Sequence, residues 1–332
     1  MSFFRKIRSG KNVRIKYYIF SYIYLHIPHF VLKMRLNRLL KSVAKRKDYD
    51  EIKDRVDYYC KLSDASAADK KEWMNHFVAI GKQKVVRPKV YYLDSYCYAR
   101  YFNSGKKWNL CTGDVNYVPQ YPSITKSRPI CNDNANATLL NLDKIRHFIF
   151  LKDKKKWTDK RDMIIFRGAL GQKDGNEFKQ NRYKFMKMYF GNPMCDLGEI
   201  AEGGKCVNPE WQSPKLTLYQ HLDYKFVLSL EGNDVASNLK WVMSSNSIAV
   251  MPRPTCESWF MEGRLIPNVH YIEISPSFED LEEKLNYYIN NPDEAQKIID
   301  NAHEYVKKFR NRKREEIVSL LVLQKYINKT NI

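Results

Sequence analysis

Through the second half of the chain apolar residues come in short unbroken runs, each closed by a polar knot, a pattern that predicts strands alternating with helices. The stretch YKFVLSLEGNDVASNLKWVMSSNSIAVMPRPTCESWFMEGRLIPNVHYIEI, from Tyr224 to Ile274, reads as strand, polar turn, helix, strand, long loop and strand. Its helix start (Gly232, Asn233, Asp234, Ser237) and its knot Ser244-Ser245-Asn246 lie at the ends of apolar runs. An open α/β sheet places its ligand crevice at such ends, so a nucleotide-type site is expected there.

The same pattern predicts strands at Met163–Phe166, Met194–Leu197, Tyr224–Leu230, Ser247–Met251 and Tyr271–Ile274. Between and after them, helices are expected at Gln180–Tyr189, Leu216–Leu222, Ser237–Ser244 and Phe278–Ile289. Asn291-Pro292-Asp293-Glu294 has the composition of a helix start, with an Asn cap and Pro in the first turn. Helical spacing recurs at Tyr49–Leu62, Ala67–Ile80 and Arg314–Ile327, and Lys89–Leu93 and Trp108–Thr112 read as short strands. Alternation of this kind implies an α/β fold with a parallel sheet covered on both faces. The shift from apolar to densely charged residues between Ile145 and Asp162 marks a domain junction. We expect an N-terminal domain over 1–155, a C-terminal domain over 156–312 and a terminal helix over 313–332 whose apolar run packs against another element.

Charge narrows the partners. The 332 residues carry a net charge of +20, which favours a nucleic acid, an acidic membrane surface or a phosphorylated substrate without choosing among them. Thirteen of the cations fall in a basic arm over the first 47 residues, where no acid occurs. The uncharged, Tyr-rich segment 17–32 is interrupted by His26, Pro28 and His29, whereas a spanning helix needs about 20 apolar residues, so it is not read as transmembrane. Two readings stay open: a buried element of the N-terminal domain, or a surface drawn to an anionic leaflet at about 1 kcal/mol per cation. Seven scattered cysteines without a CxxC pair suggest neither a disulfide framework nor a zinc site, and favour a reducing, intracellular setting.

Particular phrases carry a resemblance. Lys225-Phe226 before a strand, Leu239-Lys240-Trp241 in the next helix, Ser245 to Val250, and Pro267-Asn268-Val269-His270-Tyr271 resemble the C-terminal signature of glycosyltransferase family 90. That family holds protein O-glucosyltransferases, fungal capsule-associated proteins and bacterial lipopolysaccharide hexosyltransferases. The bacterial branch is nearest in wording, and the similarity runs from RSGKN through GDVNYVPQYPSITKSRPI, IIFRG and MCDLG to SLLVLQKY, nearly the whole chain. The resemblance implies a GT-B-like fold, two Rossmann-like lobes facing a cleft, with the C-terminal helix crossing back to the N-terminal lobe. It also implies inverting transfer of a hexose, glucose or galactose, from a UDP-sugar to an inner-core sugar of lipopolysaccharide, by an enzyme lying on the cytoplasmic face of an inner membrane.

Such a transfer needs a carboxylate to take the acceptor proton and positive groups to neutralise the departing diphosphate. Asp114, after a predicted strand, is similar in setting to the aspartate that family members use as base, although Gly113 replaces an arginine and extra residues precede Pro119. An Asp capping a loop is the plainer reading. Donor-side candidates are Arg167 and Gly168 at a strand end, Lys173, Arg182, the block Glu231, Gly232, Asn233, Asn238 and Lys240, then Ser244, Ser245, Glu257 and Glu262. Many relatives carry an arginine where this chain has Asn238. The competing readings are an Arg167 paired with a nearby acid, solvated cations at Lys173 and Arg182, serines that merely end a helix, and surface acids around a buried Trp259 and Phe260. Ser127, Arg128 and Asn134 are acceptor candidates in a loop rich in hydrogen-bonding groups, which a plain turn also explains. Asp48-Tyr49-Asp50 sits in a basic helical context, so no metal and no cofactor beyond the donor sugar nucleotide is expected. The rival of another class is a non-enzymatic nucleic-acid-binding protein, although no nucleic-acid motif is present; a third reading keeps the fold and changes the reaction.

Overall fold

In the computed structural model, described for residues 9–170, 173–174, 177–178, 181–200 and 206–331, the predicted alternation produces a five-stranded parallel sheet. Its strands are β1 (Arg161–Gly168), β2 (Cys195–Glu199), β3 (Tyr224–Leu228), β4 (Ile248–Met251) and β5 (Ile272–Glu273), in the order β5-β4-β3-β1-β2. Every residue of β3 and β4 is buried, which is why YKFVL and IAVM read as continuous rather than alternating apolar runs. Register is set by Phe226 opposite both Ile164 and Ile248, and these residues join Phe166, Leu197, Val250 and Phe185 in one core.

Helices supply the covering layers. Asn181–Tyr189 leads from β1 to β2 and buries Phe185, Met186 and Tyr189. Pro292–Lys307 buries Ala295, Ile298, Ile299, Ala302, Tyr305 and Val306, a 3.6-residue stripe. Pro292 occupies its first turn as expected, but the Asn291 side chain donates to the Tyr287 carbonyl at 2.7 Å instead of capping the new helix. The segment between β3 and β4 departs further: an eight-residue helix from Ser237 is expected, and a single turn over Leu239–Val242 is found. Asn238 explains the late start, since its Nδ2 donates to the Leu228 carbonyl at 2.9 Å and ties the turn to the end of β3.

The chain divides into two compact units. The sheet unit comprises the described residues up to Val13, then 146–255 and 262–308; the helical unit comprises 14–145, 256–261 and 309 onward. In the helical unit, helices Arg14–Leu25, His29–Val43, Tyr49–Tyr59, Ala67–Trp73 and Lys89–Ala99 accompany short strand pairs. Lys89–Leu93, expected as a strand, is the first half of the last of these helices: burial of Val90, Tyr91, Leu93, Asp94, Ser95 and Ala99 around most of the helix overrides the β preference of its Val and Tyr. Helix Arg312–Thr330 packs on Tyr49–Tyr59, with Arg55 to Glu315 at 2.6 Å, Lys325 to Asp57 at 2.7 Å and Lys329 to Asp64 at 2.8 Å along the seam. Among the described residues no helix is long and apolar enough to cross a membrane.

Candidate functional site

Strand order decides where the sheet unit can hold a ligand. Numbered along the chain the order is 2-1-3-4-5, so the connections leave in opposite directions from β1 and β3, and the crevice of such a sheet opens beyond the carboxyl ends of those two strands. Gly168 ends β1, and Ser229 to Asn233 follow β3. Arg182 spans the point: Nη1 donates to the Ala169 carbonyl at 3.0 Å and Nη2 to the Leu230 carbonyl at 3.1 Å. A Cβ on Gly232 would lie 3.2 Å from that Nη2, so the glycine lets the loop rest against the guanidinium. Glu231 accepts from Thr255 through both oxygens, from N at 3.0 Å and from Oγ1 at 2.6 Å, while Asn233 is exposed beside it. Of the expected donor residues, the structure therefore gathers Gly168, Arg182, Glu231, Gly232, Asn233 and Asn238 at this switch point.

Others go elsewhere. Arg167 does not project from the sheet edge; its guanidinium donates to the Asp196 carbonyl at 2.8 Å and forms an ion pair with the Asp196 carboxylate. Tyr224 donates to the second oxygen of that carboxylate. Burial works to raise the Asp196 pKa, but the hydrogen bonds from Tyr224 and Arg167 outweigh it and hold the group below the usual carboxylate range. Lys240 and Glu262 form an internal pair at 2.6 Å with side chains 0% and 2% exposed, so that each charge is matched by the other and neither faces solvent. The helix start that was to bind an anion is one turn long and supplies no such site. Ser244 Oγ accepts from Leu151 N at 2.8 Å and donates to the Trp241 carbonyl, and Ser245 Oγ donates to the Val242 carbonyl at 2.7 Å; both hydroxyls close the turn. Lys173 has its backbone in the strand Lys173–Asp174, and its side chain lies outside the described residues.

The helical unit holds the carboxylate candidate. Gly113 adopts φ +106°, a conformation open to glycine, and turns the chain so that Asp114 meets Lys126 in an ion pair. Lys126 is buried to 2% while Asp114 keeps 23% of its side chain open. Sequence reasoning missed Lys126, which lies between the buried strand Ser123–Thr125 and the strand Ser127–Pro129; the polar wording SITKS gave no sign that this lysine would be interior.

The expected acceptor loop is scaffold. Strand Ser127–Pro129 pairs with Cys256–Ser258, setting Arg128 opposite Glu257. Arg128, fully buried, gives Nε to Glu257 at 2.7 Å, Nη2 to the Tyr58 carbonyl at 2.7 Å and Nη1 to the Ala137 carbonyl at 3.1 Å. Glu257, expected on the donor side, belongs to this unit and also accepts from Tyr58. Ser127 Oγ accepts from Val115 N at 3.1 Å, and Asn134 joins Lys61 to the Pro129 carbonyl at 2.9 Å each. A buried polar group must be matched in this way or cost stability, which is why sugar-like hydrogen-bonding composition can mark an interior as readily as a binding loop. Among the described residues no cluster of His, Cys, Asp and Glu has the makings of a metal site.

The model of glycosyl transferase family 90 matches residues 139–328, more than half of the chain. An O-glucosyltransferase LpsA of Dichelobacter nodosus is 35% identical over 321 residues, covering 95% of each chain. An O-glucosyltransferase rumi homolog of Aedes aegypti is 24% identical over 186 residues, covering 52% of this chain and 43% of its own. An uncharacterized protein 035R of Invertebrate iridescent virus 3 is 24% identical over 166 residues, 45% of this chain and 15% of that one.

Proposed function

This chain belongs to glycosyl transferase family 90, and from that premise we propose that it moves glucose or galactose from a UDP-sugar to an inner-core sugar of lipopolysaccharide, with inversion and without a metal. The observation that carries the reading is the likeness to the LpsA O-glucosyltransferase across 95% of both chains, which takes in the parallel sheet and the Asp114 loop alike. The diphosphate of the donor lies at the carboxyl ends of β1 and β3, where Arg182 and the backbone of Glu231 to Asn233 meet it. Neutralising the leaving group is assigned to Arg182, whose guanidinium sits where β1 and β3 end.

Asp114 accepts the proton of the attacking hydroxyl, and Lys126 holds its carboxylate in one orientation. The sheet unit serves the donor, the helical unit the acceptor, and the GT-B arrangement implied by the family resemblance is part of this proposal. So is a place on the cytoplasmic face of an inner membrane. Net charge alone speaks for the nucleic-acid-binding reading, and no geometry adds to it.

A transfer assay with UDP-glucose and UDP-galactose on truncated core acceptors tests the proposal, comparing the parent with Asp114→Asn. Transfer from one of these donors and its loss in the variant support it. Full activity in Asp114→Asn removes the proposed base; no transfer from either donor removes the substrate assignment.

A further inference from the structure

Helix Arg14–Leu25 is built inside out. Tyr17 Oη donates to Asp94 at 2.9 Å and the Tyr24 hydroxyl meets that of Tyr101, so its polar groups face the helical unit. Ile15, Ile19 and Ile23, each one turn from the next, lie on the opposite side at 64%, 53% and 60% exposure, and no residue of the helix is buried. Phe20 is 59% exposed near them. The following helix, His29–Val43, buries Leu32 and Leu36 but leaves Phe30 and Met34 at 66% and 59% exposure, and the same surface row continues into Arg38.

The corner between the helices is anchored. Arg100 donates to the Tyr24 carbonyl at 3.0 Å and to the Ile27 carbonyl at 2.6 Å, and His29 Nε2 sits 2.8 Å from the Phe102 carbonyl. The apolar side chains are thus held outward by the fold, not by the fraying of a loose end. Exposed cations Arg14, Lys16, Lys33, Arg38, Lys41 and Lys45 flank them, and no acid occurs in the first 47 residues.

We propose that this two-helix corner inserts into the outer layer of an anionic phospholipid surface, with the isoleucines, Phe20, Phe30 and Met34 among the acyl chains and the flanking cations on lipid phosphates. A 12-residue helix is about 18 Å long, short of the roughly 30 Å hydrocarbon core, so it lies in the interface and does not span. A second copy of the chain is a poor occupant because pairing the corners would set two basic segments, neither with an acid of its own, against each other. Nucleic acid is a poor one because aliphatic side chains offer no stacking platform. The inference goes beyond electrostatic attraction: contact made by apolar insertion outlasts screening. It also stands apart from the transferase reading, since its test reads lipid binding and not sugar transfer.

Co-sedimentation of the full chain with vesicles of phosphatidylcholine, alone or with phosphatidylglycerol, tests it at low salt and at about 1 M salt, where the Debye length falls to about 3 Å. We expect binding that needs phosphatidylglycerol to begin and persists in part at high salt. Ile19→Glu with Ile23→Glu is expected to lower the salt-resistant partitioning about tenfold or more, while circular dichroism and thermal unfolding stay as in the parent. In a separate Ile23→Trp variant, indole emission is expected to shift to the blue on mixed vesicles. Binding abolished entirely by salt, or unchanged in the double glutamate variant, overturns the proposal. So does a dimer in vesicle-free solution that the double variant dissociates, which would make a second copy the occupant.

Discussion

Lys126 reaches Asp114 from the interior: the lysine side chain is sealed from water while that of the aspartate stays partly open, 2% against 23%. One partner is fixed by burial, the other is presented. For Asp114→Asn we expect kcat to fall about 10²- to 10⁴-fold with little change in donor KM, the usual cost of removing a general base. Lys126→Met leaves the carboxylate present without its lysine partner. We expect a smaller fall in kcat there and an altered pH profile of kcat, read from steady-state rates across pH.

Arg182 ties the ends of β1 and β3 together and faces the Gly232 loop. Arg182→Gln is expected to lower kcat/KM about 10²- to 10³-fold, in the range seen when a donor to a developing anion is removed. Lysine has no fork to bridge two carbonyls, so Arg182→Lys should rescue little. Calorimetric titration with UDP checks the assignment: binding to both variants weakens if the guanidinium lies at the diphosphate.

Lys240 and Glu262 give the contrasting case. Removing one partner of a buried ion pair is strongly destabilising, and Lys240→Met should cost about 3–5 kcal/mol of stability. The donor KM of the protein that remains folded should stay as in the parent. Urea unfolding with KM measured at low temperature separates the two effects; a raised KM with unchanged stability would return Lys240 to the donor site.

Acid should loosen the sheet unit in two steps. Burial lowers the His221 pKa from its ordinary 6.5, so the unfolded chain takes up a proton that the folded chain resists, and stability falls as pH drops below that value. Asp196 is also depressed, from 3.8; its contribution is complete above that pH and is lost as pH falls through the folded value. Urea midpoints across pH check the order, and His221→Leu should erase the upper step alone.

A chelator tests the metal-free reading without mutation. Transfer rates are expected to be the same after exhaustive treatment with EDTA and after adding back magnesium or manganese.

Much of the sheet was legible in the sequence because a parallel strand buried on both faces is written as an unbroken apolar run, as in YKFVL and IAVM. Helix Lys89–Ala99 was not, since its Val and Tyr favour strand locally and only its burial in the folded unit decides otherwise. Residues attached to strand ends could be placed by position along the chain, whereas pairings were hidden. Glu262 lies 22 residues from Lys240, and Glu257 lies 129 from Arg128, so nothing local reveals that these charges neutralise each other. A cation near a strand end reads as a phosphate ligand until its carboxylate is known.

Helix Arg312–Thr330 belongs to the same unit as Tyr49–Tyr59, although more than 250 residues separate Arg55 from Glu315. A ribosome that has made the first 145 residues has not yet made the surface on which they rest. The opening portion of the chain must therefore wait, partly exposed, while the sheet unit is synthesised and folds ahead of it. Nascent chains halted before residue 309 should be the ones that chaperones hold and proteases remove.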